Sequence, residues 1–267
     1  MVGSAAVGAV VVIVAMATSM IGRGGGNFYV PVLVASGMVM GRAATTAQLI
    51  LVSTAVAASL VFQRHKTVDW RLALVIDPPT DVMALVGGFF AHRFGGLALK
   101  IAFAALLVTA GFFMLRPVKE RVRRRARKFG FWHRSFGGHD YAVNLWLALP
   151  MTAAVGFVAG MVGISGGSFK IPLMVLLCGV PVRIAVGTSS VMVAVTALMG
   201  FLGHALAGDF DPAGAFPLAG AAVLGGLVGG KISVHLDERK LKGAFAYTTF
   251  AAALFMGLSA LVSAASG

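Results

Sequence analysis

The sequence predicts an all-α polytopic membrane protein built from two repeats of about five hydrophobic segments. Three observations carry that reading. Of 267 residues, 58% are hydrophobic and only 12% charged, whereas a soluble domain carries about 25% charged residues; mean hydropathy is +0.91. Continuous apolar runs of roughly 17 to 23 residues recur, long enough to cross ~30 Å of hydrocarbon as helices. A β-barrel would alternate instead. Finally, MIGRGGGNFYVP at 20–31 returns without a gap as MVGISGGSFKIP at 161–172, an offset of 141.

Ten apolar segments follow in order. The first five lie near 4–21, 28–40, 44–62, 71–92 and 97–115. The second five lie near 142–162, 169–180, 184–206, 213–234 and 243–264. No basic region precedes the first run, so it reads as a retained helix and not a signal peptide. Between the two sets, residues 116–134 hold nine Lys/Arg and one acid, Glu120, which is +8 of the chain's +13. Such density suits nucleic acid. Its position between apolar segments favours a cytoplasmic loop under the positive-inside bias, with no nucleic-acid partner. The chain therefore divides into a first transmembrane repeat, 1–115, a basic cytoplasmic loop, 116–140, and a second repeat, 141–267.

Side chains support a duplication. Met20, Gly22, Gly25, Gly26, Phe28 and Pro31 match Met161, Gly163, Gly166, Gly167, Phe169 and Pro172. Arg42 and Ala44 match Arg183 and Ala185, and after a one-residue shift Leu85-Val86-Gly87-Gly88 matches Leu227-Val228-Gly229-Gly230. If the first two segments of each half both cross, or form a hairpin on one side, each half makes an odd number of crossings. The halves are then inverted and both termini lie outside. Arg64, Lys66 and Arg71 fall inside, as do Arg239, Lys240 and Lys242, while Asp209 and Asp211 fall outside. A single broken span per pair would reverse the last two assignments.

Segments 2 and 7 are too short to span, rising only ~20 Å. Glycine runs break helices, each Gly costing about 1 kcal/mol against Ala. Broken backbone at membrane depth must be buried in protein or line a wet cavity. Helix N-termini exposed there carry partial positive charge and bind anions. Paired breaks in two halves point to a transporter site. The candidate anion site thus takes Arg23, Gly24, Gly25, Gly26 and Asn27 from the first break, and Ser165, Gly166, Gly167, Ser168 and Lys170 from the second. Alternatively, Arg23 and Lys170 snorkel to headgroups and the glycines serve packing. Thr46, Gln48, Thr188 and Ser189 open the helices that follow; they would donate to oxyanions, or cap and back-bond their own helices. Dinucleotide and P-loop motifs do not fit the spacing.

Asp77-Pro78-Pro79-Thr80-Asp81 lies inside segment 71–92. Carboxylates four apart share a helix face, although two prolines should distort it. The second half has no acid near Ala219 to Val223. Ionisable groups at this depth are costly and usually functional. Asp77 and Asp81 are either a proton-coupling pair, a buried pair to a cation such as Arg23, or wet residues at an early helix end. Single Cys178 excludes an internal disulfide and a cysteine metal site. No cofactor and no metal centre are expected, and no nucleophile–base pair marks an enzyme.

At the glycine motifs the chain resembles the sulfite exporter TauE/SafE family, also called the toluene-sulfonate uptake permease family. Gly163-Ile-Ser-Gly166-Gly167-Ser-Phe-Lys-Ile-Pro172-Leu173 and Ala185-Val-Gly187-Thr188-Ser189-Ser190 carry the likeness in the second half. Gly22-Arg-Gly24-Gly25-Gly26-Asn-Phe-Tyr-Val-Pro31-Val-Leu33 carries it in the first. Ala44-Thr45-Thr46-Ala47-Gln48 departs from the Gly-Thr-Ser form and looks like an Ala-Asn-Gln variant of one branch, as does Lys66-Thr-Val-Asp69-Trp70. The resemblance covers nearly the whole chain. It implies a multi-pass transporter of the bacterial plasma (inner) membrane for small sulfur-containing or organic anions, working by alternating access. The expected partners are a small anionic substrate and the lipid bilayer, with homodimer formation left open. A scaffold or assembly factor acting through the basic loop, or a carrier of another small ion, is the alternative.

Overall fold

The computed structural model describes residues 4–38, 40–90, 108, 112, 129–162, 167–206 and 210–265. The first half contributes α1 (Ser4–Ser19), α2 (Gly26–Ala35), α3 (Met40–Arg64) and α4 (Trp70–Phe90). A hairpin of β1 (Phe131–Phe136) and β2 (His139–Asn144) follows. The second half contributes α5 (Leu145–Val162), α6 (Gly167–Leu176), α7 (Val182–Leu206), α8 (Pro212–His235) and α9 (Glu238–Ala265). The expected segment 97–115 lies outside the described residues, apart from helical Val108 and Phe112. Among the described residues, three helices are long and apolar enough to cross a membrane: Thr45–Arg64, Val182–Leu202 and Pro212–His235. Large apolar side chains stay exposed on several helices, including Ile13, Leu74, Leu85, Phe216, Leu224 and Leu254. Surface of that kind suits lipid and not water.

Local sequence explains the breaks. The last turn of α1 closes as a Schellman motif, with Arg23 N donating to Thr18 O and Gly22 N to Ser19 O. Gly22, Gly24 and Gly25 then hold φ of +68°, +69° and +91°, a region that L side chains enter at a cost of about 1–2 kcal/mol. Three glycines therefore allow α2 to restart within seven residues. At ten residues α2 and α6 each rise ~15 Å, half of a bilayer's hydrocarbon.

Packing crosses between the halves. α3 lies against both α8 and α7, α1 against α8, and α5 against α4. The first helix of each half therefore packs on the fourth helix of the other. Glycines permit the approach. In α8, Gly225 and Gly229 face α1 at Val12 and Met16, while Gly226 and Gly230 face α3 at Thr54 and Ala58. Gly156 of α5 lies on the Thr80 backbone of α4. Side chains at these positions would force the helices apart. Asp211 caps α8, accepting from Ala213 N at 3.2 Å, and Pro212 opens the helix.

Two expectations need correction. The stretch from 131 to 144 is not plain loop followed by helix: it pairs as an antiparallel hairpin, Phe131 opposite Asn144 through Phe136 opposite His139. Gly137 and Gly138, with φ of +59° and +75°, close a two-residue hairpin turn; β2 buries Tyr141, Ala142 and Val143 at its helix-proximal end, and α5 starts only at Leu145. Second, α4 does not end early at the prolines: it runs unbroken through Pro78 and Pro79. The two rings cost it the donors that would meet the carbonyls of Leu74 and Val75, and packing on α5 and α7 holds the helix together.

Candidate functional site

The two glycine motifs meet. Gly24 lies between Leu51 of α3 and Val193 of α7; a Cβ there would sit 2.5 Å from Leu51 Cδ1 and 2.9 Å from Val193 Cγ1. Gly167, the first residue of α6, lies on the same Val193, and its Cβ would fall 2.6 Å from Cγ2 and 3.3 Å from the Arg23 carbonyl oxygen. Leu51 and Val193 both lie near the middle of 25-residue helices. The starts of α2 and α6 are therefore neighbours at the mid-depth of the two helices that flank them.

Arg23 is 4% exposed and Lys170 is 1% exposed, so neither snorkels to a headgroup. Arg23 donates from Nη1 to Thr249 Oγ1 of α9 at 2.9 Å, and its guanidinium lies 5.3 Å from the Phe245 ring centroid. A tight cleft opens beside it, lined by Thr18, Ile21, Arg23, Gly25, Gly26, Phe28 and Thr248. It has room for about one water molecule. The start of α2 and a buried guanidinium thus converge on one small space, and the start of α6 lies against the backbone of the same arginine.

Lys170 sits one turn into α6. It is the partner of Asp77: the two form a buried ion pair, and Arg23 is not that partner. Lys170 Nζ also donates to Thr196 Oγ1 of α7 at 2.8 Å. Thr196 Oγ1 in turn lies 2.5 Å from Asp81 Oδ1 and 2.9 Å from the Met192 carbonyl oxygen. Asp77 is buried and Asp81 half-buried, so Asp77 is not at a wet helix end. A buried pair of this kind is costly to make and more costly to break.

Other expected residues scatter. Thr46, Gln48 and Ser189 are buried; among the described residues Gln48 Oε1 and Ser189 Oγ have no hydrogen-bond partner, and Gln48 packs on Gly200. Thr188 is engaged away from the cleft, where its Oγ1 accepts from Asp69 N at 3.0 Å. Asn27 and Ser168 occupy the first turns of α2 and α6. Ser165 and Gly166 lie outside the described residues.

A second polar centre lies at the end of α4. Asp69 is fully buried. Arg134 of β1 grips it with two bonds, Nε to Oδ2 at 2.9 Å and Nη2 to Oδ1 at 3.0 Å. Tyr141 of β2 donates to Oδ2, and the Arg71 and Leu72 amides donate to Oδ1. Burial alone would raise the Asp69 carboxyl; the bonds from Arg134, Tyr141 and Leu72 outweigh it and hold the group below its usual range. The same contacts raise Arg134, while burial first and Asp69 second raise Tyr141. The hairpin thereby fastens the α3–α4 connection to the start of α7.

Sequence reasoning missed Thr196, Thr249 and the Asp69–Arg134–Tyr141 centre. One signal was available. Thr54 and Thr196 correspond in the register that aligns Leu85 with Leu227, and Tyr29 corresponds to Lys170 in the offset of the glycine motifs. Nothing in the pattern of the basic loop distinguishes Arg134 from its eight companions.

The sequence model of the family described as Sulfite exporter TauE/SafE matches residues 7–256. The chain is 25% identical over 234 residues to the "Probable membrane transporter protein YunE" of Bacillus subtilis (strain 168), covering 84% of this chain and 86% of that protein. It is 25% identical over 226 residues to the "Probable membrane transporter protein YfcA" of Escherichia coli (strain K12), covering 83% of this chain and 78% of the relative. No solved structure gives a significant match.

Proposed function

We propose a specific transport reaction from one premise: the chain belongs to the sulfite exporter TauE/SafE family, and is a membrane transporter and not an enzyme. The cargo is a small sulfur-containing anion of the sulfite or sulfonate class, carried by alternating access without a nucleotide. The family's name and the chemistry of the cleft support that choice. The observation that carries it is the meeting of the two glycine breaks beside buried Arg23. Helix N-termini offer unpaired N–H groups and partial positive charge. An oxyanion fits that field, and a cation does not.

In this reading the two halves are inverted repeats. Supporting it are the equal lengths of α2 and α6, the equal lengths of α3 and α7, and the reciprocal packing of α1 on α8 and α5 on α4. The cleft is closed to anything larger than water, so cargo enters when the halves shift. Transport is coupled to protons through Asp77 and Asp81, which share buried surroundings with Lys170. The membrane is the bacterial plasma membrane, with the basic 116–140 stretch and its hairpin on the cytoplasmic side.

Binding tests the reading. Purified protein is titrated calorimetrically with sulfite, taurine-sized sulfonates, sulfate and acetate, alongside Arg23→Gln. Saturable binding of sulfite or a sulfonate that weakens at least about tenfold in Arg23→Gln supports it, since a charge-assisted bond is worth ~1.5–3 kcal/mol. Equal or absent binding of every anion by folded protein would send the substrate assignment elsewhere.

A further inference from the structure

The two halves carry the same threonine in different company. In the first, Thr54 Oγ1 of α3 donates to Ile50 O at 2.8 Å and lies 3.0 Å from Tyr29 Oη of α2. In the second, Thr196 Oγ1 of α7 reaches Met192 O in the same back-bonded way, and meets Lys170 of α6 where Tyr29 stood. The frame is shared, but one copy is neutral. The other adds Lys170, Asp77 and Asp81, the acids coming from α4 at positions where α8 has Ala219 and Val223. Charge has been built into only one of two matching sites.

We infer that Thr196 is the positioning residue that makes Asp81 the proton-accepting carboxylate, leaving Asp77 as the counter-ion of Lys170. This rests on the proton-coupled reading above. A hydroxyl has one proton to give and two lone pairs to receive with. Here it has three neighbours: the Lys170 ammonium, the Asp81 carboxyl and the Met192 carbonyl. Both protonation states of Asp81 keep its bond to Thr196 and that of Lys170. With Asp81 ionised, Lys170 donates to Thr196 and Thr196 donates to Asp81. With Asp81 protonated, the new O–H donates to Thr196, and the threonine proton turns to Met192 O. One proton is added and no hydrogen bond is lost.

Charge counting agrees. Lys170, Asp77 and Asp81 together carry −1 when all are ionised, and one proton brings the group to neutrality. Asp77 meets Lys170 directly, whereas Asp81 is tied to Lys170 through the hydroxyl. Among the described residues, the titratable groups around Asp81 are Lys170 from α6 and Asp77 on α4 itself. α5 brings none. α7 brings Arg183, exposed and bonded to Leu236 O, and His204. The proton therefore has one carboxylate to join and a prepared place beside it.

Infrared difference spectroscopy against pH on reconstituted protein reads this without any transport assay. The wild type should give one protonated-carboxyl band in the buried group, lost in Asp81→Asn and kept, at a lower pH midpoint, in Asp77→Asn, where Lys170 is left to pair with Asp81. Thr196→Ser should leave its midpoint in place, while Thr196→Val displaces it by about one pH unit or more, the worth of a bond to a charged group. A band lost in Asp77→Asn instead, or unmoved in a folded Thr196→Val, overturns the assignment. Anion uptake is measured on the same samples with and without a pH gradient. Uptake that ignores the gradient while the band behaves as stated removes the coupled reading and leaves the proton site standing.

Discussion

Gly167→Ala is the cleanest wedge between the two breaks. The new Cβ would lie 2.6 Å from Val193 Cγ2 and 3.3–3.4 Å from the Arg23 backbone. Carbon atoms rest at about 3.5–4.0 Å, so roughly 1 Å of overlap must be relieved. The obstacle on one side is a stiff β-branched side chain; on the other it is backbone. Overpacking of this kind costs ~1–3 kcal/mol, or about 2–12 °C in unfolding midpoint for a chain of this size. Val193→Ala removes the clashing methyl. The double variant should therefore recover at least about 1 kcal/mol relative to the sum of the singles, the coupling expected of residues in contact. Thermal unfolding in detergent and initial anion flux in liposomes are read on all four proteins. Flux should fall about tenfold in Gly167→Ala and return in the double variant. A fully active Gly167→Ala, or a double variant as impaired as the sum of the singles, would refute the contact between the motifs.

Other outcomes follow from the same geometry. Gly229→Ala in α8 puts a methyl into Ser19 and the Met16 backbone and should prevent stable assembly, while Gly220→Ala, with nothing within 4 Å, should leave yield and melting unchanged or slightly improved. Lys170→Met strands buried Asp77 and should cost ~3–5 kcal/mol; adding Asp77→Leu should restore melting but not proton-dependent flux. Arg134→Ala should lower stability by ~2–4 kcal/mol, because Asp69 keeps Tyr141 and two amides. Asp69 also sets a pH limb. Its folded value lies below its unfolded one, so its contribution is complete above about pH 4 and drains away as pH falls through the lowered value. Melting curves from pH 6 downward should show that loss in the wild type and lack it in Asp69→Asn.

Much of the helical order was legible because apolar length and glycine position are local signals. Each apolar segment that falls among the described residues has a helix, and the short ones are short for the reason the glycines give. The hairpin was legible only in its Gly137-Gly138 turn, since FWHRSF and HDYAVN otherwise read as the tail of a charged loop. Helix continuity through Pro78-Pro79 depends on neighbours that sequence does not name. The same holds for the site. Arg23 and Lys170 stood out as charges beside breaks, but the choice of Lys170 over Arg23 as the partner of Asp77 is a matter of which helix faces which. Thr188 shows a further limit: its hydroxyl, in a suggestive motif, accepts from the Asp69 amide, a contact that the motif does not announce.

The most direct test is initial uptake of labelled sulfite by liposomes containing the purified protein, compared with Arg23→Gln in parallel vesicles. Saturable uptake, accelerated by an inward proton gradient and lost in Arg23→Gln, is the predicted result. Uptake no faster than in protein-free vesicles, from wild type that is folded and inserted, would contradict a sulfite-class cargo. Full uptake in Arg23→Gln would contradict the location of the site.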